Sequence, residues 1–371
     1  MIRIHLNLLL ALVFSLWLPA SQLDAAQAAR LEELIEGARR EGVLNVMLPD
    51  IATPELVRGL EAAMNKYYGL NLKVSHSGAG AYAKAASIAV TEHRTGTKPT
   101  FDATIGGCNN IIEMLDAGAL QPIPGWRELL PKGAPRDDPS IAPRVLKDTA
   151  FKFVDNFHIV IYNTKLISRN DLPKKFADFG NPKYKDKFAV PPFLGTVSMA
   201  MITHGRDKAL EIYRTWGKNN PKVLSYNHGV DRIVFGEIAF MPYPNEYDYF
   251  QRKEAGDPVG MSVIQDFVPW TPRYMAARAN APHPNAAKLW VLFNAGPEAQ
   301  LLWEKEVKWI NASYPKQSKA DEVQKLLKET GAKVAAWEES EQSIANMRWY
   351  MLTKEGREYQ SKLRDALHVS K

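Results

Sequence analysis

The stretch LNLKVSHSGAGAYAKAASIAVTEHR, residues 70–94, contains a predicted strand, a glycine-rich turn and a predicted helix in direct succession. The strand is expected over Leu70 to Ser75, and the helix is expected to begin at Tyr82. Repeated units of this kind, joined by short loops, form parallel sheets, and ligands of such sheets bind at the carboxyl ends of the strands. The turn Ser77–Gly80 is therefore a candidate binding segment.

The turn also resembles a nucleotide-binding fingerprint, because it contains Gly78-x-Gly80-x-x-Ala83 with Asp102 downstream. It follows the second predicted strand, however, whereas the fingerprint belongs after the first strand of a nucleotide-binding fold. We therefore expect no bound cofactor. The two glycines allow a tight turn that exposes N–H groups at a helix start, which suits a carboxylate or another anion. The alternative, that they only form the turn, stays open.

The same alternation of strands and helices extends to both sides of this segment. Strands are predicted at VLNVML (43–48) and FDATI (101–105), and a helix follows each. Their carboxyl ends lead into helix N-termini, where free N–H groups favour anions. Cys108 is more typical of a small packed residue, whereas Asn109 can both cap its helix and face a ligand. The candidate contacts in this half are Asp50, Ser77, Gly78, Ala79, Cys108 and Asn109.

A Pro- and Gly-rich segment, Pro122 to Pro143, precedes a second alternating unit that starts at the predicted strand FHIVIYN (157–163). We predict an α/β fold of two lobes, each a mainly parallel sheet flanked by helices, with hinge strands that cross near Val160 and Met261. Clefts between such lobes bind small ligands. The predicted boundaries are a signal peptide at 1–28, a first lobe at 29–156 with 260–315, a second lobe at 157–259, and a helical segment at 316–371 packed on the lobes.

The N-terminus has the pattern of a secretory signal, with one Arg, an apolar run from Leu6 to Leu18 and a small-x-small motif that predicts cleavage after Ala28. The apolar run is shorter than the ~20 residues that cross a bilayer, so we expect an exported chain that is not membrane-embedded. The single cysteine excludes an intramolecular disulfide. A net charge of +6 without a basic stripe argues against a nucleic-acid partner.

Motifs of enzymatic chemistry are missing from the sequence. It has no G-x-S-x-G elbow, no H-E-x-x-H, no P-loop and no Cys pair for a metal, and its eight His do not cluster. We therefore expect a binding protein with no catalytic residues. The alternative, an exported α/β enzyme, requires a nucleophile with a neighbouring base.

Several segments together resemble one protein family. The strand IVIYNTKLI (159–167), the segment DLPKKFADFGNPKYKDKFAV (171–190) and the helix pair within 277–305 resemble extracellular solute-binding proteins of ABC importers, of the iron/thiamine/phosphonate type (families 1 and 8). The first-lobe segment TFDATIGGCNNIIEMLDAGALQPI (100–123) resembles this family as well. The likeness covers residues 42–305 in the family's order. It implies a type 2 periplasmic binding fold and a monomer that closes around a small solute in the periplasm and delivers it to an inner-membrane permease.

The resemblance also bears on metal binding. Ferric-ion members of the family use tyrosine ligands, including an adjacent pair after the strand that follows Gly-Glu. Here the segment GEIAFMPYPNEYDYF places Tyr243, Tyr247 and Tyr249 in that region, and no two of them are adjacent. We therefore expect no metal site; if iron binds, Tyr247 and Tyr249 are its candidate ligands.

An organic anion fits the remaining candidates better. Gly195 and Thr196 open a predicted long helix, whose N-terminus favours anions. In VPWTPRY, Arg273 can bind a carboxylate or phosphonate and Trp270 can supply an apolar face, although a surface Arg and a core Trp remain the alternative. His228 either meets a ligand carboxylate or is solvated. The candidate contacts of the second half are Gly195, Thr196, His228, Tyr243, Asn245, Tyr247, Trp270 and Arg273.

Overall fold

A computed structural model describes residues 20–314 and 318–369, without the side chains of 20–27 and Ser318. The predicted signal peptide, 1–28, falls mostly outside the described residues. The strands are β1 (Val43–Leu48), β2 (Lys73–Gly78), β3 (Ala103–Gly106), β4 (Ala150–Val154), β5 (His158–Asn163), β6 (Ala189–Val190), β7 (Lys222–Val223), β8 (Phe240–Asn245), β9 (Val259–Ser262), β10 (Val268–Pro269), β11 (Arg273–Ala277) and β12 (Val334–Ala335).

The helices are α1 (Ala20–Glu41), α2 (Pro54–Tyr68), α3 (Tyr82–Thr95), α4 (Cys108–Asp116), α5 (Trp126–Leu129), α6 (Leu194–Ser198), α7 (Ala200–His204), α8 (Arg206–Gly217), α9 (Tyr226–Val234), α10 (Glu246–Glu254), α11 (Pro284–Asn294), α12 (Pro297–Val307), α13 (Ser318–Thr330), α14 (Glu341–Leu352) and α15 (Lys354–Leu367). Within the described ranges, none of these has the length and apolar character needed to cross a membrane.

The first sheet has the order β2-β1-β3-β11-β4, in which β1, β2 and β3 are parallel and β11 runs antiparallel to β3 and β4. Its register explains where the first glycine-rich turn lies. Leu48, the last residue of β1, pairs with Gly78, so β2 extends three residues beyond the predicted end at Ser75. The chain turns at Gly80, whose φ is 68°, and α3 begins at Tyr82.

The second sheet is centred on the antiparallel strands β8-β5-β9, and the parallel pair β6-β7 joins it through a bridge between Phe188 and Phe240. It is therefore a mixed sheet with an antiparallel centre, and the prediction of a mainly parallel sheet in this lobe was wrong. Val160 and Met261, where we expected the hinge, lie inside this sheet, because β5 pairs with β9 from Val160 to Asn163. The connections to the first sheet instead run through residues 155–157 and 263–272, outside β5 and β9.

A third connection between the lobes follows α12 at residues 308–314. All three connections meet at Asp155, which is buried at 1% exposure. Its carboxylate accepts hydrogen bonds from Trp270 Nε1 in the second connection and from the backbone N–H of Ala312 in the third. Lys152, also buried, donates to the same carboxylate at 3.1 Å and to Ser313 Oγ at 2.8 Å. One ion pair thus joins all three connections.

The C-terminal segment, residues 318–369, contacts both lobes. Val323 of α13 belongs to the core cluster of the second sheet, together with Ile161. Leu363 of α15 packs in the cluster that contains Trp216 of α8. Toward the first lobe, Arg348 of α14 forms a bidentate ion pair with Asp116 of α4. This segment is positioned to contribute to the cleft between the lobes.

Candidate ligand-binding cleft

A cavity of about 610 Å³ opens between the two lobes, a volume typical of small-molecule sites. The two sheets and the C-terminal segment all supply its walls. The structure brings together eight of the residues that we named from the sequence, which are Cys108, Asn109, Gly195, Thr196, Asn245, Tyr247, Trp270 and Arg273.

Arg273, the first residue of β11, supplies the positive charge of the cavity. Its Nη1 donates to the Thr271 carbonyl at 2.6 Å, and its guanidinium lies 5.0 Å from the centre of the Tyr82 ring. A Cβ on Gly107 would stand 3.5 Å from Nη1, so the guanidinium lies against the N-terminus of α4. Among the described residues, no carboxylate oxygen lies within the 4.0 Å of an ion pair with Arg273. The cation is therefore available to an anionic ligand.

Three helices present N-termini without a side-chain cap to the same cavity. The cap positions are Ala81 for α3, Gly107 for α4 and Ser225 for α9. First-turn N–H groups carry a partial positive charge, which adds to that of Arg273. The predicted long helix at Gly195 is instead the five-residue α6, because the chain breaks near Met199 and again at Gly205, whose φ is 75°. Its dipole contributes correspondingly less.

His158 at the start of β5 connects the cavity to the lobe connections. Nδ1 lies 2.7 Å from the Tyr243 carbonyl, which makes this nitrogen the donor, and Nε2 lies 2.9 Å from Thr271 Oγ1. Thr271 in turn accepts a hydrogen bond from Asn156 Nδ2 at 2.9 Å. Burial lowers the pKa of His158 to about 3. The imidazole is therefore neutral at physiological pH and orders the cavity wall without adding charge.

Aromatic side chains form much of the remaining wall. Tyr226 Oη donates to Thr196 Oγ1 at 3.2 Å, and Tyr247 Oη accepts a hydrogen bond from Asn245 Nδ2 at 2.9 Å. Burial raises the pKa of Tyr226 to about 12 and that of Tyr247 well above its usual value, so both phenols are neutral. These groups offer hydrogen bonds and flat apolar faces.

Tyr243 and His228, two residues of the second lobe that we named from the sequence, lie away from the cavity. Tyr243 has a φ of 75° and points into the core, where its hydroxyl contacts Tyr213 Oη at 2.9 Å. His228 is exposed on α9, because α9 begins at Tyr226 and turns His228 outward. Tyr226 lines the cavity in its place.

The four residues named at or just after the ends of β1 and β2 also lie outside the cavity lining. Ser77 and Gly78 are the last residues of β2, and Ala79 is buried behind it. Asp50 is exposed and accepts a hydrogen bond from the Gly80 N–H at 3.2 Å, which stabilises the turn. Because β2 is longer than predicted, the cavity is lined by Ala81, Tyr82 and Ala83 instead.

The two candidate iron ligands do not face the same space. Tyr247 lines the cavity, whereas the hydroxyl of Tyr249 donates to Glu322 Oε1 of α13 at 3.0 Å. Within the described ranges, no group of three or more His, Cys, Asp or Glu is arranged to hold a metal ion.

Sequence reasoning missed further residues of the wall, which are Tyr82, His158, Phe193, Tyr226, Thr271, Trp337, Glu338, Met347, Tyr350 and Met351. Tyr82 and Tyr226 could have been predicted from the sequence, since each is the first residue of a helix that follows a strand. The residues from 337 onward carry no local motif, and only the tertiary fold brings them to the cleft.

Two lobes joined by three connections, with a polar and aromatic cavity between them, define a two-lobed solute-binding protein. The family model of the bacterial extracellular solute-binding proteins matches residues 60–310, more than half of the chain. The chain belongs to this family of solute-binding proteins. A search of curated protein sequences finds no match.

Solved structures of other proteins share this fold. Iron-bound HitA from Pseudomonas aeruginosa is 19% identical with a TM-score of 0.64, covering 87% of this chain and 99% of that chain. The substrate-binding protein of an ABC transporter from Agrobacterium tumefaciens is 15% identical with a TM-score of 0.65, covering 88% and 94%. The spermidine/putrescine ABC-transporter protein PotD from Streptococcus pneumoniae is 13% identical with a TM-score of 0.64, covering 88% and 99%. These likenesses confirm the predicted two-lobed type 2 fold.

Proposed function

We propose that this protein is the periplasmic substrate-binding component of an ABC importer, and that it captures a small anionic organic solute in the cavity between its lobes. The proposal depends on one observation above all. Arg273 lies in the cavity wall beside the N-terminus of α4 and has no carboxylate partner among the described residues. A cation in such a place favours an anionic ligand.

The lobe connections suggest how capture and delivery are linked. Ligand contacts from both lobes are complete only when the lobes close, so binding favours the closed form. The closed form then presents the solute to an inner-membrane permease. We propose a monomer for this role and no nucleic-acid partner or cofactor.

A thermal-shift panel tests the function. Carboxylates and phosphonates are expected to raise the melting temperature, because a ligand at 100 times its Kd stabilises the native state by about 2.7 kcal/mol. Cationic thiamine is expected to have no effect. Mass spectrometry of any co-purified solute identifies its class, and recovery of every ligand unchanged distinguishes a binding protein from an exported enzyme. A panel in which thiamine stabilises and no anion does would contradict the proposal.

Ferric citrate is expected to produce no visible phenolate-to-iron band, because Tyr247 and Tyr249 face different surroundings. Absorption spectroscopy of the purified protein checks this. A coloured, tight complex that Tyr247→Phe abolishes would make iron the solute. Tyr249→Phe is the matched control, and its phenol lies outside the cavity lining.

A further inference from the structure

The C-terminal segment places a carboxylate in the cavity wall. Glu338 lies in the 3-10 turn Trp337–Glu339, which follows β12, and β12 is held in place by parallel pairing with β10. Among the described residues that line the cavity, Glu338 is the only acidic side chain and Arg273 the only basic one besides neutral His158. The cavity therefore carries one group of each charge.

These two groups do not neutralise each other directly, since no Arg273–Glu338 contact falls within the 4.0 Å of an ion pair. Tyr274 Oη donates to Glu338 Oε1 at 2.6 Å, and the thiol of Cys108 lies beside the carboxylate. An ionised carboxylate accepts about four hydrogen bonds in all. Glu338 therefore has further acceptor capacity for a donor in the cavity.

We propose that the solute carries a protonated amine as well as an anionic group, with the anion bound by Arg273 and the amine by Glu338. The proposal rests on the function proposed for the cavity and narrows its substrate class to zwitterions. It also assigns a specificity-determining role to a residue that lies outside the family match at residues 60–310.

Matched pairs of small acids test this directly by calorimetry. The probes are β-alanine, 4-aminobutyrate and 5-aminovalerate, each compared with propionate, butyrate or valerate of the same length. At least one amino acid is expected to bind tenfold or more tightly than its deaminated partner. Glu338→Gln is expected to abolish this preference, because the amide keeps the shape of the side chain and the Tyr274 hydrogen bond but has no negative charge to bind the amine.

Glu339→Gln is the matched control, since Glu339 is the exposed neighbour and does not line this cavity. Equal or tighter binding of the deaminated acids by the wild type would overturn the zwitterion proposal and leave the anion-binding function intact. If Glu338→Gln weakened the binding of the amino acids and of the deaminated acids equally, the zwitterion proposal would also be overturned, because Glu338 would then have a structural role. If none of the six acids binds, the zwitterion proposal is contradicted. If, in addition, no anion of the thermal-shift panel stabilises the protein, the proposed anion-binding function is contradicted as well.

The pH dependence gives an independent signature. Burial raises the pKa of Glu338 to about 7. Tyr274, Cys108 and Arg273 face the Glu338 carboxylate. Burial raises the pKa values of Tyr274 and Cys108 far above neutrality, and Arg273 stays charged. Arg348 of α14 is near Cys108. Glu338 is thus the group of this cluster that ionises between pH 6 and 8.

The preference for an amino acid over its deaminated partner is expected to grow about tenfold from pH 6 to pH 8, because a carboxyl with this pKa becomes mostly ionised over that range. The change is expected to vanish in Glu338→Gln. A preference that is independent of pH in the wild type would contradict the role of Glu338.

Discussion

Arg273→Ala is expected to weaken the binding of an anionic solute by about 30-fold or more. Truncating one partner of a desolvated, hydrogen-bonded charge pair costs about 2–5 kcal/mol, and each 1.4 kcal/mol is tenfold in affinity. The effect is large because Arg273 is the cavity's cation among its described lining residues and lies against the α4 N-terminus. Calorimetry with the best anion of the thermal-shift panel measures the change.

Arg144→Ala is the matched control, because Arg144 is exposed and lies outside the cavity lining, and we expect no change in affinity. Thr196→Ala is expected to lower the binding free energy of the solute by less, about 1 kcal/mol, as is typical of one neutral hydrogen bond. An unchanged affinity in a folded Arg273→Ala protein would remove the anionic solute from the proposal, while the family assignment would stand.

Asp155→Ala is expected to lower the free energy of unfolding by about 3–5 kcal/mol, the usual cost of removing one partner of a buried ion pair. The substitution leaves Lys152, which is 2% exposed, without its counter-charge. It also removes the acceptor for Trp270 Nε1 and for the Ala312 N–H, so all three lobe connections lose a contact. Urea unfolding measures the change.

Asp137→Ala provides the comparison, because Asp137 is exposed and surface substitutions usually change stability by less than about 0.5 kcal/mol. Asp155→Asn keeps an acceptor for Trp270 Nε1, so its loss in free energy of unfolding is expected to lie between those of Asp137→Ala and Asp155→Ala. A loss of less than about 1 kcal/mol in Asp155→Ala would show that the ion pair does not hold the connections together.

The fold was largely predictable because the strand–helix pattern is local. β1 and β5 lie within the apolar runs at which they were predicted, residues 43–48 and 157–163. The end of β2 was predicted wrongly because it depends on pairing with β1, and sequence spacing does not report that register. The antiparallel centre of the second sheet depends on long-range pairing in the same way.

The site was predicted less completely, for a related reason. Arg273 and Trp270 were found because the chain returns through a recognisable segment, whereas Tyr243 was assigned to the cavity although its φ of 75° turns it into the core. A shift of two residues in a helix start separates Tyr226, which lines the cavity, from His228, which does not. Glu338 has no sequence signal, because its position depends on how the C-terminal segment packs.

That segment has a consequence for comparing transporters between genomes. The family match ends at residue 310, whereas part of the cavity wall comes from residues 337–351. Two homologues that align well over the matched region can therefore differ in the nutrient that they import. Assigning a nutrient to a homologue requires comparison of this segment as well as of the matched region.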